Sequence, residues 1–346
     1  MTLREIAKLA NVSPSTVSRI LNSKDNNFAS EAVRDRVWEI VKSTGYVPNA
    51  VARNLRMNSE SKLKPAKTIA CILANVKAAV DNPFFAQVAR AVEQQALFME
   101  CVVAYSCSIF DMDDDAVMEK IISTPVDGIV ILGRMDKPMV KLIKKHKKNV
   151  VYIGVNSIEA DWDQVICDGH DVADRAMRYL IEEGHKNIGY LGETKDEIRY
   201  TAYIKALTAV GIPIEKSWII NCPPRGDGGY VGADALIKNN KIMPSAVFCV
   251  NDITAISALK RFREEGLKVP RDISIIGIDD IEMAQYVSPM LTTVEIPKTE
   301  LGQIAVKILI DRIDKGHKVP MKITLPHKLV IRESVSNTKK TKKGGN

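Results

Sequence analysis

The stretch VSPSTVSRILN, Val12 to Asn22, decides the fold of the N-terminal part of this 346-residue chain. Ser13 can cap a helix through its hydroxyl, and Pro14 suits the first helical position because it has no backbone N–H to leave unpaired. Val17 and Ile20 then recur at helical spacing, with polar residues between them. The pattern predicts a short helix with one buried face and one exposed face.

A second short helix precedes this one. Thr2, followed three residues later by Glu5, forms a capping box, and Ile6 begins an apolar face. Two short helices joined by so tight a turn predict a helix-turn-helix, whose second helix fits the major groove of DNA. A third helix, predicted from Glu31 to Ser43 behind the cap Ser30, closes a small all-α domain.

The positive charge of the chain is concentrated at its two ends. The formal net charge is +7, of which residues 1–57 carry +4 and the tail from Thr338 carries another +4. The body between them is therefore nearly neutral. A basic N-terminal domain suits a polyanion such as DNA. The stretch TKKTKKGGN has nothing apolar to bury, and we expect residues 335–346 to be a disordered basic tail.

From about residue 67 the pattern changes to short apolar strands that alternate with helices. The strands include TIACILAN, GIVILG, NIGYLG and ISIIGID. Strands and helices that alternate in this way form parallel sheets covered on both faces. Their number suffices for two sheets, so the sequence predicts an α/β fold with two doubly wound parallel-sheet lobes behind the helical domain.

The domain boundaries follow from these changes in pattern. We expect a helix-turn-helix domain over 1–57, in which 49–57 form a further short helix, and a polar linker over 58–66. The two-lobed core is predicted over 67–334. No run of about twenty apolar residues occurs and the N-terminus reads as a capped helix, so we expect a cytoplasmic protein that does not contact the membrane.

The stretch TLREIAKLANVSPSTVSRILN resembles the opening of the lactose/galactose-repressor (LacI/GalR) family of bacterial transcription regulators. Further motifs of the core resemble the same family in the same order: DNPFFAQVARAVE, TPVDGIVILG, LIEEGHKNIGYLG, FCVNDITAISALKRFREEGLKVPRDISIIGIDD, LTTVEIPKTELGQIAVKIL and LPHKLVIRES. The resemblance implies a regulator that binds double-stranded operator DNA as a homodimer. It also implies a periplasmic-binding-protein-like core that binds a small effector, such as a sugar or a sugar derivative.

Residues of two segments are candidates for DNA binding. In the helix-turn-helix we expect Pro14, Ser15 and Arg19 to face base edges, with Arg19 the strongest donor to guanine. Other polar residues of this helix would bind phosphates. In the family the second segment is a hinge helix whose leucine enters the minor groove, and Leu55 matches it. The full set is Ser13, Pro14, Ser15, Thr16, Ser18, Arg19, Asn22, Asn49, Ala52, Leu55 and Arg56.

Candidate effector-binding residues follow the ends of the predicted strands, because ligands of open α/β sheets bind there. They are Asp81, Phe84, Phe85, Asn156, Arg199, Asn251 and Asp279. Carboxylates and a guanidinium can bond a sugar's hydroxyls while an aromatic ring stacks on its apolar face. Each polar residue could instead be structural, and either phenylalanine could belong to the core. Pro224 stands where many family members have an aromatic residue, which leaves the effector's identity open.

Other functional classes find less support in the sequence. The six cysteines lie far apart without metal-ligand spacing, so we expect neither a metal site nor a cofactor. The glycines of RGDGGYVG form neither a dinucleotide motif nor a phosphate loop, and we expect no enzyme. A solute-binding protein or an enzyme of this fold remains an alternative, as does a regulator that answers to a non-sugar ligand or a phosphoprotein. For a sugar effector, we expect closure of the lobes to release a repressor from DNA.

Overall fold

The computed structural model describes residues 3–22, 29–44, 66–74, 82–108, 119, 121, 123–135, 137–146 and 149–341. These residues fall into two compact units, 1–65 and 66–346, each of which is treated separately. Asp81 and the predicted hinge segment 49–57 lie outside the described residues.

The N-terminal unit is a three-helix bundle. Its helices are α1 (Leu3–Leu9), α2 (Pro14–Asn22) and α3 (Glu31–Thr44). The buried core consists of Ile6, Ala7, Ala10, Val17 and Val37. The turn between α1 and α2 includes Asn11 in the left-handed conformation (φ 54°), which asparagine tolerates better than most residues. The helix-turn-helix prediction is confirmed.

The first lobe contains a sheet whose six described strands are all parallel. Its strands and helices in chain order are β1 (Thr68–Leu73), α4 (Pro83–Phe98), β2 (Val102–Ser108), β3 (Gly128–Leu132), α5 (Lys137–His146), β4 (Val150–Gly154) and β5 (Asp163–Ile166), and, after the second lobe has begun, α10 (Lys298–Ile313) and β11 (Lys322–Thr324). The order of the strands in the sheet is β11-β5-β4-β3-β1-β2. The strands β1, β3, β4 and β5 are buried along nearly their whole length, as parallel strands covered on both faces must be.

The second lobe repeats this plan. Its elements are α6 (Gly169–Glu182), β6 (Ile188–Gly192), α7 (Ile198–Ala209), β7 (Ile219–Asn221), α8 (Gly226–Asn239), β8 (Ala246–Cys249), α9 (Asp252–Glu264), β9 (Ser274–Asp279), β10 (Thr292–Glu295) and β12 (Lys328–Val330). The sheet order is β12-β10-β9-β8-β6-β7, and β12 alone of these described strands is antiparallel to its neighbour. The two doubly wound lobes predicted from the sequence are therefore present.

The chain crosses between the lobes three times within the described residues. It passes from β5 to α6 through residues 167–168, from β10 to α10 through residues 296–297, and from β11 to β12 through residues 325–327. Helix α10 thereby packs on α4 of the first lobe, where a side chain on Gly302 would come within 2.8 Å of the backbone oxygen of Val88. Several crossings side by side are suited to a hinge between lobes.

The C-terminal segment departs from the predicted disordered tail. The backbone N–H of Ser336 donates to the hydroxyl of Ser274 (3.0 Å), and that of Thr338 donates to the carbonyl of Glu183 (2.9 Å). A short helical turn, α11, follows at Thr338–Thr341. The prediction was wrong for residues 335–338, because Val335 packs against the hydrophobic core and the hydrogen bonds of Ser336 and Thr338 hold the segment to the second lobe.

The cysteines behave as small buried hydrophobic residues. All six are free thiols, and five of them are buried. No group of three or more His, Cys, Asp or Glu side chains within the described ranges could hold a metal ion. None of the helices that the structure describes is long and apolar enough to cross a membrane.

Candidate functional site

The exposed face of α2 carries the residues predicted to read DNA. Pro14, Ser15 and Arg19 are exposed, whereas Val17 on the opposite face is fully buried. The hydroxyl of Ser13 accepts a hydrogen bond from the backbone N–H of Thr16 (3.1 Å) and so caps the helix. The amphipathic pattern thus presents short polar side chains and one guanidinium on one side of a rigid helix.

The hydroxyls at the start of α2 also bind one another. The Ser13 oxygen lies 2.6 Å from that of Ser15 and 2.8 Å from that of Thr16. Ser18 is half-buried, and Asn22 is the last residue of the helix. The remaining predicted DNA contacts, namely Asn49, Ala52, Leu55 and Arg56, lie outside the described residues and stay predictions.

A cleft of about 620 Å³ opens between the two lobes of the core at the carboxyl ends of both sheets. It gathers six of the seven predicted effector-binding residues: Phe84, Phe85, Asn156, Arg199, Asn251 and Asp279. These residues are far apart in sequence, and they meet because parallel strands end at one edge of each sheet. The volume is in the range typical of small-molecule sites.

Arg199 lies at the start of α7 with its guanidinium almost buried. Its Nε and Nη2 donate to the two carboxylate oxygens of Glu197 (2.7 and 2.9 Å), and its Nη1 donates to the carbonyl of Val250 (2.9 Å). A guanidinium has five N–H groups, so two remain to meet a ligand. Arg199 is therefore held rigidly while it keeps donor capacity.

Glu197 is a residue that the sequence analysis missed. Its side chain is 1% exposed, and burial would by itself raise its pKa. The positive charge of Arg199, the hydrogen bonds that Arg199 donates and the charge of Arg134 together outweigh this effect and lower the pKa of Glu197 to about 2. The group is thus a carboxylate at neutral pH. The only hint in the sequence is its position two residues before Arg199, in DEIR.

Asp279 ends β9 in an unusual backbone conformation. Its φ is 118° and that of Asp280 is 51°, so two consecutive non-glycine residues lie at positive φ. The ammonium of Lys298 donates to the backbone oxygens of both, and Arg332 pairs with the carboxylate of Asp280 (2.7 Å). Strained backbone persists only where its surroundings hold it, and such residues cluster at binding sites.

The carboxyl of Asp279 shares its environment with a second buried acid. Burial raises the pKa of Asp279 to about 7, although Arg199 and Lys298 act against this shift. Burial, and then the neighbouring Asp279, raise the pKa of Asp252 well above its usual range. Asp252 accepts hydrogen bonds from the hydroxyl of Thr293 (2.6 Å) and the backbone N–H of Ile281 (3.0 Å). Its side chain is therefore bonded within the protein and supports the structure around Asp279.

Asn251 also has a structural task. Its Oδ1 accepts from the backbone N–H of Thr254 (2.9 Å) and caps α9, while its Nδ2 donates to the carbonyl of Pro224 (2.9 Å). Both the oxygen and the nitrogen of the amide are thus hydrogen-bonded within the protein, which agrees with a structural role for Asn251. Asn156 differs, because its Oδ1 is buried and accepts no hydrogen bond from any described residue.

The two phenylalanines have different surroundings. Phe84 is 6% exposed and belongs to the hydrophobic core. Phe85 is half-buried, and its ring edge lies over Gly133, where an added Cβ would come within 3.3 Å. The two rings meet edge to face, with centroids 5.1 Å apart. Phe85 is therefore the aromatic surface that the cleft offers, while Phe84 supports it.

The segment around Pro224 presents no aromatic ring. The cleft is lined here by Pro223, Pro224, Arg225, Gly226 and Asp227, and the aromatic residues of its described lining all come from the first lobe. Gly228 and Gly229 allow close packing, since a Cβ there would come within 2.2 Å of the Pro223 carbonyl and 2.4 Å of the Thr254 carbonyl. The glycine-rich run thus serves the packing of α8.

The charges along the cleft are nearly balanced. Arg134 pairs with Glu193 and Glu197, Arg199 pairs with Glu197, and Arg225 pairs with Asp227 (2.8 Å). Each arginine of the described lining thus has a carboxylate partner, whereas Asp279 forms no ion pair with the lining. The arrangement is suited to a ligand with many hydroxyls and no negative charge.

Comparisons with known proteins find relatives for both the N-terminal helical unit and the two-lobed unit. Residues 2–49 match the model of the bacterial regulatory proteins of the lacI family, and residues 177–335 match a periplasmic binding protein-like domain. The HTH-type transcriptional repressor PurR of Glaesserella parasuis is 32% identical over an alignment of 352 positions, which covers 97% of this chain and 98% of that protein. The ribose operon repressor of Haemophilus influenzae is 32% identical, with 98% and 99% covered.

A solved structure agrees as well. The transcriptional regulator CelR in complex with cellobiose is 26% identical, covers 96% of this chain and 99% of its own, and superimposes with a TM-score of 0.71. A DNA-reading helix joined to a two-lobed binding core defines a ligand-responsive transcription regulator. The chain belongs to the lacI family of bacterial regulatory proteins.

Proposed function

We propose that this regulator is a repressor whose effector is an uncharged sugar, bound in the cleft between the lobes. The observation that carries the proposal is the pairing of every arginine of the described lining with a carboxylate, beside the buried and unpaired Asp279. A carboxylate accepts hydrogen bonds from two neighbouring hydroxyls, and Phe85 can stack on the apolar face of a sugar ring.

The charge balance also argues against a phosphorylated effector. A phosphate group would meet arginines whose positive charge is already compensated by carboxylates, and it would approach the carboxylates of Glu193, Glu197 and Asp279. Like charges in a partly buried site raise the free energy of binding. A neutral sugar meets neither obstacle.

The response follows from the two-lobed architecture. A ligand shifts an equilibrium only if it binds one lobe arrangement better than the other. Phe85 and Asn156 approach the cleft from the first lobe, while Arg199 and Asp279 approach from the second. The effector therefore draws the lobes together, and in our proposal closure weakens operator binding by the helix-turn-helix units.

We further propose that the protein acts as a homodimer in the cytoplasm and catalyses no reaction. Two large apolar side chains at the end of α4, in the first lobe, are exposed to solvent: Leu97 is 79% and Phe98 is 83% exposed. Contiguous exposed apolar surface favours an interface, and a second copy would let two recognition helices read two half-sites. Sedimentation as a monomer at micromolar concentration would contradict this part.

A thermal-shift screen of the full chain tests the proposed effector. Uncharged mono- and disaccharides, including D-ribose and cellobiose, are compared with their phosphorylated counterparts and with nucleobases. A ligand that binds only the native state stabilises the protein by about 2.7 kcal/mol at a hundredfold excess over Kd. This stabilisation raises the melting temperature. We expect a neutral sugar to stabilise the protein and its phosphate to fail. Stabilisation by a phosphate or a nucleobase alone would refute the sugar assignment.

A non-sugar effector is the second candidate. The relatives that cover nearly the whole chain do not share one name, since several are called HTH-type transcriptional repressor PurR and one is called ribose operon repressor, so the effector class needs a test beyond sugars. The same screen separates the two candidates.

A further inference from the structure

Arg134 makes an ion pair across the cleft. It follows β3 of the first lobe, and its Nη2 donates to Glu197 Oε2 of the second lobe at 2.9 Å. Its Nη1 lies 3.4 Å from Glu193 Oε2. The Arg134 side chain is 36% exposed and that of Glu197 is 1% exposed, so the contact lies at the mouth of the cleft with one partner buried.

Glu197 connects this contact to the binding guanidinium. The same Oε2 that accepts from Arg134 accepts from Arg199 Nη2 at 2.9 Å, and the other oxygen accepts from the backbone and side chain of Arg199. Arg134 from one lobe and Arg199 from the other therefore share one carboxylate. The carboxylate of Glu197 is held between the two guanidinium groups. Movement of the first lobe away from the second would separate Arg134 from Glu197 and leave Arg199 as its remaining cationic partner.

The contact and a ligand can exist together. The cleft retains about 620 Å³ while Arg134 and Glu197 are paired, which leaves room for a sugar beneath them. An ion pair that forms only when the lobes are close stabilises the closed arrangement, and a ligand that bridges the lobes needs the same arrangement. Because the ion pair and the bound ligand both favour the closed arrangement of the lobes, each strengthens the other.

We propose that Arg134 is an interlobe positioning residue: by pairing with Glu197 it holds the lobes together and fixes Arg199 toward the effector. The proposal rests on the cleft being the effector site. Arg134 acts through Glu197 and need not touch the ligand. Effector affinity should then depend on Arg134 only while Glu197 carries its charge.

A double-mutant cycle tests this dependence in the full-length protein. Calorimetric titration with D-ribose and with cellobiose is carried out on wild type, Arg134→Gln, Glu197→Gln and the double variant. We expect Arg134→Gln to weaken binding on the order of tenfold, a coupling typical of linked sites. In the Glu197→Gln background, Arg134→Gln should not weaken effector binding further. The effects of the two substitutions on the binding free energy are then far from additive, which is the signature of coupled residues.

Arg261→Gln is the matched control. Arg261 also lies between two carboxylates, those of Asp234 and Glu265, but both belong to the second lobe and the group lies outside the cleft. We expect its effector affinity to stay within twofold of wild type. If Arg134→Gln matches wild type, or weakens binding equally in the Glu197→Gln background, the proposal is overturned.

A measurement without ligand gives a second readout. Hydrogen exchange of the peptide containing 197–199 should be faster in Arg134→Gln than in wild type or Arg261→Gln, because the Arg199 amide donates to Glu197 (3.0 Å). Unchanged exchange would contradict the positioning role. If wild type binds no sugar in any titration or in the screen, the proposed function fails and this inference falls with it; sugar binding that is indifferent to Arg134 removes the inference alone.

Discussion

We predict that effector binding depends on pH near neutrality through the buried carboxyl of Asp279. Burial raises the pKa of Asp279 to about 7, against the opposing charges of Arg199 and Lys298. Burial, and then the neighbouring Asp279, raise the pKa of Asp252 well above its usual range. The titratable and charged groups that face Asp279 are therefore the cations Arg199 and Lys298 and the acid Asp252, while Asp280 is paired to Arg332.

The magnitude follows from the ionised fraction. If only the carboxylate accepts two hydroxyls, the apparent affinity scales with the share of protein in that form. For a pKa of about 7 this share falls from about 90% at pH 8 to about 10% at pH 6. Effector Kd should therefore rise about tenfold, or about 1.4 kcal/mol, as the pH falls between these values.

Calorimetric titration of the stabilising sugar at pH 6, 7 and 8 measures this effect, with Asp279→Asn as the control. Asparagine tolerates positive φ, so the variant keeps the backbone at φ 118° while it removes the titrating group. Its binding should be weak and flat with pH. A wild-type Kd that does not change between pH 6 and pH 8, or an equal slope in the variant, would refute the reasoning.

Three further predictions concern other parts of the molecule. Ile6→Ala, in the core of the small helical unit, should cost about 2 to 5 kcal/mol there and weaken operator binding, while sugar binding is unchanged in calorimetry. Arg19→Ala should cost about 1 to 3 kcal/mol of operator affinity and relax one base position in a binding-site selection; an unchanged site profile would count against it. His185, which is hydrogen-bonded to Ser245 (3.0 Å) and to the Ser336 carbonyl (3.1 Å), has a pKa lowered chiefly by burial. Its stabilising contribution is therefore present above pH 6.5 and lost as the pH falls, and His185→Ala should lower urea stability by about 1 to 3 kcal/mol at pH 8; equal stability of variant and wild type at that pH would contradict this.

The main residues of the site could be predicted because their position depends on local pattern. Arg199 and Asp279 follow buried strands at their carboxyl ends, and strand ends of a parallel sheet meet at one edge. The helix-turn-helix was predictable for a similar reason, since its caps and its apolar spacing lie within a few residues of one another.

Glu197 and Arg134 could not be found in this way. Their pairing joins two lobes and depends on how far these are closed, which no local pattern encodes. Asn251 shows the converse, because the strand-end rule placed it correctly, yet its amide caps α9 and bonds Pro224. The segment 335–338 was wrongly predicted because the composition of the tail does not reveal the hydrogen bonds of Ser336 and Thr338 that, with the packing of Val335, hold it to the second lobe.

Operator affinity with and without sugar is the most direct test of the central claim. Wild type and Asp279→Asn are titrated against one operator duplex at pH 8, in the absence and presence of the sugar identified by thermal shift. We predict equal operator affinity without sugar, a loss of at least about tenfold for wild type with saturating sugar, and no loss for Asp279→Asn at the same concentration. A variant that releases DNA at the same sugar concentration as wild type would contradict the assignment of the cleft.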